Sequence, residues 1–166
     1  MATRNLSSYD KALLPEGSTM KVGVVVSEWN SDITENLLRG ALETLTESGL
    51  TLDNIHIIHV PGSFELAQGA LMLLDNKSVE AVICLGSIIK GETPHFGFIS
   101  VACAQGIQSL ALKSGKPIIF GVLTDNTLEQ AQARSGGAMG NKGVEAAITA
   151  IRMIALKRDL QNSWVL

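Results

Sequence analysis

Residues 85–98 of this sequence contain the side chains best suited to acid–base chemistry. They read LGSIIKGETPHFGF and include Lys90, Glu92 and His95. Imidazole has an unperturbed pKa of about 6.5, nearer neutrality than that of any other side chain, so it can both accept and donate a proton in neutral solution. The segment is therefore a candidate catalytic loop with His95 as its acid and base.

Two other interpretations of this segment have to be weighed. It could be a plain polar turn in which Pro94 sets up the first turn of a helix. It could also be a phosphate-binding P-loop, because Gly86 and Gly91 have the G-x-x-x-x-G spacing. That motif requires lysine after the second glycine, whereas this sequence has Glu92 there and Lys90 before the glycine. A carboxylate at this place would repel phosphate, so only the turn and the catalytic loop stay open.

The segment lies between a predicted strand and a predicted helix. The apolar run at residues 79–85 predicts a buried strand, and Phe98, Val101 and Ile107 recur at helical spacing after it. In a parallel α/β sheet such a junction is at the carboxyl end of a strand, where open sheets bind their ligands.

The remaining elements predict one α/β domain. Strands are expected at residues 21–27, 54–60 and 117–123, and long helices at 31–48 and 141–160. Ser31 is the expected N-cap of the first helix and Gly49 its C-terminal stop, and the T-x-x-Q pattern from Thr127 predicts a short helix. Four strand–helix units imply a parallel sheet covered by helices on both faces. We expect residues 1–20 to form an irregular tail and residues 21–166 a single domain.

Composition excludes several classes of function. The formal charge of −3 offers no basic surface for nucleic acid, and neither a secretory signal nor an uninterrupted membrane-spanning stretch is visible. Cys84 and Cys103 lie in apolar runs and indicate buried hydrophobic positions, while His56 and His59 face opposite sides of a predicted strand and cannot share a metal. These features favour a cytoplasmic protein. Charged residues are only 17% of the chain, which suggests that subunit contacts cover part of its surface.

Three further positions could contact a ligand. Trp29 follows the first strand and could be a flat platform for a heterocycle, although a lone tryptophan is more often part of a core. In the turn PGSFE at residues 61–65, free N–H groups and the Glu65 carboxylate could bind hydroxyl groups, and Ser63 and Glu65 are equally suited to start a helix. Arg134 lies at a glycine-rich break, where an arginine is either a solvated charge or an anion clamp.

Together these motifs resemble the lumazine synthase family of riboflavin biosynthesis. LGSIIKGETPHF is similar to the signature loop of that family, PGSFE to its Pro-Gly-(Ala/Ser)-(Phe/Trp)-Glu motif, and ARSGG followed by GNKG to its arginine-containing segment. The similarity extends over about residues 21–155 and keeps the order of the motifs. It implies a flavodoxin-like, three-layer α/β/α sandwich with a four-stranded parallel sheet, to which the N-terminal segment of a neighbouring subunit adds an edge strand.

The resemblance also implies a role for each matching residue. His95 would move protons, and Trp29 and Phe120 would stack on a pyrimidine, with Phe120 reaching a site in the adjacent subunit. For Phe120 alone, core packing is the simpler expectation. Lys142 matches a basic position near the same site. The other implied contacts are Ser63, Phe64 and Glu65 for a ribityl chain, Ser87, Ile88 and Ile89 for the uracil edge, and Glu92, Thr93 and Arg134 for a phosphorylated butanone.

The reaction implied by the resemblance condenses 5-amino-6-(D-ribitylamino)uracil with 3,4-dihydroxy-2-butanone 4-phosphate. It gives 6,7-dimethyl-8-ribityllumazine, phosphate and water through imine formation, phosphate elimination, a proton shift, ring closure and dehydration. Nearly all these steps are proton transfers, which fits a single histidine. No metal or redox cofactor is implied. The implied partners are further copies of the chain, in a pentamer or a larger shell of pentamers with active sites at subunit interfaces, and riboflavin synthase.

Two other functional classes stay open. One is a shell-forming protein of the same fold that binds flavin or lumazine without turnover, against which the retention of His95 and Arg134 argues. The other is a flavodoxin-like nucleotide-binding module. The absence of G-x-G-x-x-G and of a P-loop argues against the second class.

Overall fold

The computed structural model of this protein describes residues 7–163. A single parallel sheet in the order β2-β1-β3-β4 lies at its centre. The strands of this sheet are β1 (Val22–Ser27), β2 (Ile55–Val60), β3 (Ala81–Ile89) and β4 (Ile118–Asp125). The helices are α1 (Ser31–Glu47), α2 (Leu66–Asn76), α3 (His95–Ser114), α4 (Leu128–Arg134) and α5 (Lys142–Ser163). A short antiparallel pair, β5 (Ser135–Gly137) and β6 (Gly140–Asn141), joins α4 to α5.

Helices cover both faces of the sheet. Every residue of β1 is buried, as expected of a β-branched run that packs on two sides. Val24 and Val26 contribute to a core with α1 and α5, whereas Val25 contributes to a second core with α2 and α3. The predicted flavodoxin-like three-layer sandwich is confirmed.

The carboxyl ends of the strands meet at one edge of the sheet. Ser27 at the end of β1 pairs with Val60 at the end of β2, and Ile89 of β3 pairs with Asp125 of β4. The loop after β3 begins with the Lys90 amide, which donates to the Asp125 carbonyl at 2.9 Å. All four connections that follow these strands therefore start from the same side of the molecule.

Several predicted boundaries are wrong, among them the end of β4, which runs to Asp125 and not to residue 123. The third strand was expected to end at Leu85 but runs to Ile89, because residues 86–89 pair with the last residues of β4. The N-cap of α1 is Asn30 and not Ser31, which is the first helical residue. Asn30 has φ 59° and ψ 45°, a left-handed conformation that asparagine tolerates better than most residues.

The N-terminal segment has no strand within its described part, residues 7–20. It forms a 3-10 turn at Lys11–Leu13, and the Ser7 hydroxyl donates to the Asn141 carbonyl at 3.0 Å. Residues 1–6 of the expected edge strand lie outside the described residues. The exchange of this segment between subunits stays a prediction.

Helix α3 is apolar and largely exposed within one chain. Cys103 and Ile107 are buried against the sheet, but Phe98 and Leu112 are 73% and 75% exposed. By length and composition it is the one helix among residues 7–163 that could cross a membrane. It packs against α2 and β4 and is part of the sandwich.

Candidate active site

An exposed indole forms a platform at the sheet edge. Trp29 is the second residue after β1, and its amide donates to the Pro61 carbonyl at 3.1 Å. Its side chain is 66% exposed. Gly62 lies directly against this ring, since a β-carbon added there would be 2.7 Å from the indole Cε3. The Gly62 amide in turn donates to Glu65 Oε2 at 3.1 Å, which ties the turn after β2 to the platform.

The turn at Ser63–Glu65 is a single 3-10 turn in front of α2. Ser63 is buried, and its hydroxyl packs against Gly86, where an added β-carbon would lie 2.6 Å from Oγ. It caps neither element, because Gly62 is the N-cap residue of the 3-10 turn and Glu65 is that of α2. Phe64 is 56% exposed, so this turn presents one aromatic ring to solvent, beside the half-buried carboxylate of Glu65.

The end of β3 offers free backbone on the side facing β1. Pairing with β1 stops at Leu85, so residues 86–89 extend beyond their neighbour. The Ser87 carbonyl accepts a hydrogen bond from Asn30 Nδ2 at 3.0 Å. Ser87 Oγ is buried and has no hydrogen-bond partner within residues 7–163. This stretch, which contains Ile88 and Ile89, therefore adds polar backbone beside the platform.

His95 lies where the loop after β3 enters α3. It is the first residue of α3, after Pro94 at the N-cap position, and it is exposed together with Glu92 and Thr93. The imidazole makes no hydrogen bond or ion pair with any residue that the structure describes. It is therefore open to a bound molecule.

A separate groove of about 730 Å³ runs between β4, α4 and α5. Phe120 lines it and is 42% exposed, so the simpler expectation of core packing is wrong. Arg134, in the last turn of α4, donates from Nη1 to the Gln130 carbonyl at 3.1 Å and lies 3.6 Å from Asp125 Oδ1. Lys142 also lines the groove. Within the described chain neither Phe120 nor Arg134 touches Trp29 or His95 through a hydrogen bond or ion pair.

Sequence comparison relates this geometry to known enzymes. A model of the family described as 6,7-dimethyl-8-ribityllumazine synthase matches residues 19–158. This chain belongs to the 6,7-dimethyl-8-ribityllumazine synthase family. It is 53% identical over 154 residues to the 6,7-dimethyl-8-ribityllumazine synthase of Cytophaga hutchinsonii, covering 93% of this chain and 96% of that protein. It is 47% identical over 157 residues to the enzyme of the same name from Porphyromonas gingivalis, covering 95% and 98%.

Every lumazine synthase motif found in the sequence falls at one of the two places just described. The aromatic residue after β1, the PGSFE turn and the signature loop follow β1, β2 and β3. Phe120 and Arg134 belong to the groove. The roles of these residues stay predictions.

Sequence reasoning missed three residues of this lumazine synthase chain that hold others in place. Gly62 supports Trp29, Asn30 binds the end of β3, and Asp125 lies behind Arg134. The signal for Asn30 was an asparagine directly before a helix. Asp125 gave a weaker signal, a charged residue just after an apolar run. Lys142, which the sequence placed near the site, is already paired: its ammonium donates to both carboxylate oxygens of Glu145, at 2.9 and 2.8 Å.

Neither cysteine is suited to catalysis. Burial raises the pKa of the Cys103 thiol to about 11 and that of Cys84 further above its usual range. Both stay protonated in neutral solution, and a protonated thiol is a poor nucleophile. Among residues 7–163 no cluster of His, Cys, Asp or Glu has the arrangement of a metal site.

Proposed function

We propose that this chain condenses 5-amino-6-(D-ribitylamino)uracil with 3,4-dihydroxy-2-butanone 4-phosphate to 6,7-dimethyl-8-ribityllumazine, releasing phosphate and water. The observation that carries the proposal is the exposed Trp29 platform and the unpartnered His95 at the same edge of the sheet, in a chain that matches the family from residue 19 to 158. Trp29 stacks on the flat pyrimidine.

The turn after β2 and the end of β3 bind the rest of the uracil substrate in this proposal. Glu65 and the backbone of Ser63 and Phe64 bind the ribityl hydroxyl groups, since a carboxylate accepts hydrogen bonds from neighbouring hydroxyls. Ser87, Ile88 and Ile89 bind the uracil edge. Support comes from the pairing of β1, which ends at Leu85 and leaves backbone beyond it.

The phosphorylated butanone is bound by Glu92, Thr93 and Arg134. The guanidinium of Arg134 offers a planar fork of donors that suits a phosphate. At Glu92 the backbone amide faces the phosphate, and the carboxylate points away, because two anions in contact would repel each other. The exposure of both loop residues leaves room for these orientations.

His95 moves the protons. It takes a proton from the substrate amine as the amine attacks the ketone, and returns this proton to the hydroxyl group that leaves as water. It then takes a proton from the carbon next to the imine carbon, as the neighbouring C–O bond breaks and phosphate leaves. General acid–base catalysis of this kind typically contributes about 10²–10⁴-fold in rate. The remaining acceleration comes from holding two substrates in contact in a fixed orientation.

Several copies of the chain complete the site in this proposal. In one copy an apolar surface of α3 is exposed, and so is the groove residue Phe120. The C-terminal half of α5 adds the exposed side chains of Met153, Leu156 and Leu160. An exposed apolar patch of this kind marks an interaction surface. The copies form a pentamer or a shell of pentamers, in which the groove of one copy, with Arg134, faces the Trp29 platform of the next.

The apolar exposure of α3 then reflects subunit contact and not insertion in a membrane.

The N-terminal segment adds an edge strand to a neighbouring subunit. Riboflavin synthase, which would consume the product, is the expected partner protein. Two buried free thiols are consistent with the reducing cytoplasm, where we place the protein.

Incubation of the purified chain with both substrates tests this function. We expect 6,7-dimethyl-8-ribityllumazine and inorganic phosphate to appear in equal amounts, and neither to form enzymatically when the uracil is omitted. Binding of lumazine or riboflavin without turnover would identify the chain as a non-catalytic member of the fold and would contradict the proposal.

A further inference from the structure

A buried carboxylate lies behind the arginine of the groove. Asp125 is the last residue of β4, and its side chain is only 7% exposed. Oδ1 is 3.6 Å from Arg134 Nη1, and Oδ2 is buried without a hydrogen-bond partner in the described chain. Buried carboxylate oxygens are almost always paired, so an unpaired one needs an explanation.

Arg134 is held only loosely by this carboxylate. At 3.6 Å the two groups attract each other as charges but do not form a good hydrogen bond. The one hydrogen bond that the guanidinium makes within residues 7–163 goes to the Gln130 carbonyl. Its side chain is 35% exposed, so its other donors can turn either towards Asp125 or outwards into the groove.

The other charges of the groove are occupied with each other. Lys142 and Glu145 on α5 form a close ion pair, with Nζ 2.8 Å from Oε2. Neither makes an ion pair with Asp125 or Arg134 in the described chain. Asp125 and Arg134 are thus each other's nearest opposite charges. Burial raises the pKa of Asp125 even though Arg134 acts to lower it, which indicates that the arginine does not fully compensate the buried charge.

We propose that Asp125 is the resting partner of Arg134 and competes with a bound phosphate for its guanidinium. When the groove is empty, Arg134 turns inwards towards the carboxylate, and when an anion arrives it turns outwards. The buried negative charge weakens the hold on the anion and eases the departure of the phosphate product. This inference rests on the proposed function, because it takes Arg134 as the phosphate-binding residue.

Sulfate binding to the intact protein tests the competition. Sulfate is tetrahedral like phosphate and keeps its charge over the working pH range, so changes in its affinity come from the protein. We expect Asp125→Asn to bind sulfate about tenfold more tightly than wild type, because a like charge beside a bound anion disfavours its binding. Asp125→Thr, a second uncharged residue that favours a strand, should do the same. Both should also show stronger inhibition by phosphate during turnover.

Two comparisons tie the effect to Arg134. Glu129→Gln removes the same charge from α4, the helix that carries Arg134, but Glu129 does not line the groove, so the sulfate affinity of this variant should equal that of wild type. In the Arg134→Ala background, Asp125→Asn should change nothing. The proposal is overturned if Asp125→Asn binds sulfate no more tightly than wild type, or if no variant binds sulfate. It is also overturned if Glu129→Gln gains as much sulfate affinity as Asp125→Asn, or if Asp125→Asn still raises the affinity in the Arg134→Ala background. Failure of wild type to form the lumazine would instead overturn the proposed function, while the sulfate comparison still judges the Asp125–Arg134 pair.

Discussion

The indole of Trp29 packs on Gly62 so closely that no larger residue fits between the two loops. A β-carbon at Gly62 would be 2.7 Å from Cε3 and 2.8 Å from Cζ3 of the ring. The backbone does not require glycine, because φ at Gly62 is −139°, an extended conformation open to any residue. The glycine is needed for the close approach alone, which makes it a selective probe of the platform.

Gly62→Ala should therefore displace the indole and weaken binding of the uracil substrate. Overpacking of this kind costs about 1–3 kcal/mol. We expect KM for the uracil to rise, with KM for the butanone phosphate little changed. Gly97→Ala is the control, because nothing lies within 4 Å of the added methyl. If both variants behave alike in steady-state kinetics, Trp29 does not bind the pyrimidine.

Trp29 should also report ligand binding by fluorescence. Riboflavin is flat and aromatic, so its stacking on the exposed indole should quench the tryptophan fluorescence. In Trp29→Tyr the only tryptophan left is Trp164, which lies outside the described residues. Its emission should change much less on titration. Equal quenching of wild type and Trp29→Tyr would show that riboflavin binds elsewhere.

The raised pKa of Asp125 predicts the pH dependence of stability. Its folded pKa lies above the ordinary value of 3.8, so the folded state holds the proton more tightly than the unfolded state. Stability linked to this group is present below 3.8 and is lost as pH rises through the folded pKa. Asp125→Asn should thus melt above wild type at neutral pH, with the difference shrinking in acid.

Thermal unfolding across a pH series measures this difference. Glu129 is a suitable comparison, because hydrogen bonds from its own backbone amide and from the Thr127 hydroxyl lower its pKa. Glu129→Gln should change stability in the opposite sense. A melting difference for Asp125→Asn that has the other sign at neutral pH would mean that Arg134 stabilises the charged form overall.

The proposed sharing of the site between subunits predicts complementation. His95→Ala and Arg134→Ala proteins should each have low activity. After both are unfolded, mixed equally and reassembled, about one quarter of the directed contacts combine an intact His95 with an intact Arg134 from the neighbour. Activity should then exceed the mean of the parents. If wild type survives the procedure and the mixture gains nothing, each site is built within one chain.

The fold could be predicted from the sequence because β1 and most of β3 and β4 are apolar runs. β1 and the order of four strand–helix units followed directly from the pattern. The end of β3 did not, because Gly86 and Ser87 have the composition of a turn, and only pairing with β4 keeps them extended. Local propensity was overridden there by a neighbour distant in sequence.

The site could be predicted from the sequence only in part, because it too depends on contacts between residues that are distant in the chain. Motifs identified Trp29, Glu65 and His95 one by one, each after a predicted strand. The contacts that hold them depend on atoms brought together by folding: Asn30 on the Ser87 carbonyl, and Asp125 behind Arg134. A sequence pattern describes neighbouring positions and cannot indicate which distant residues will form such pairs.

The turnover of His95→Ala tests the central claim most directly. His59→Ala is the matched control, because its imidazole is already bound to Glu35 Oε1 at 2.9 Å and lies on β2. Formation of 6,7-dimethyl-8-ribityllumazine and release of phosphate should be measured together with the affinity for each substrate. We expect kcat to fall by about 10²–10⁴-fold in His95→Ala, with substrate affinities largely kept and His59→Ala close to wild type. Unchanged turnover in His95→Ala would contradict the account.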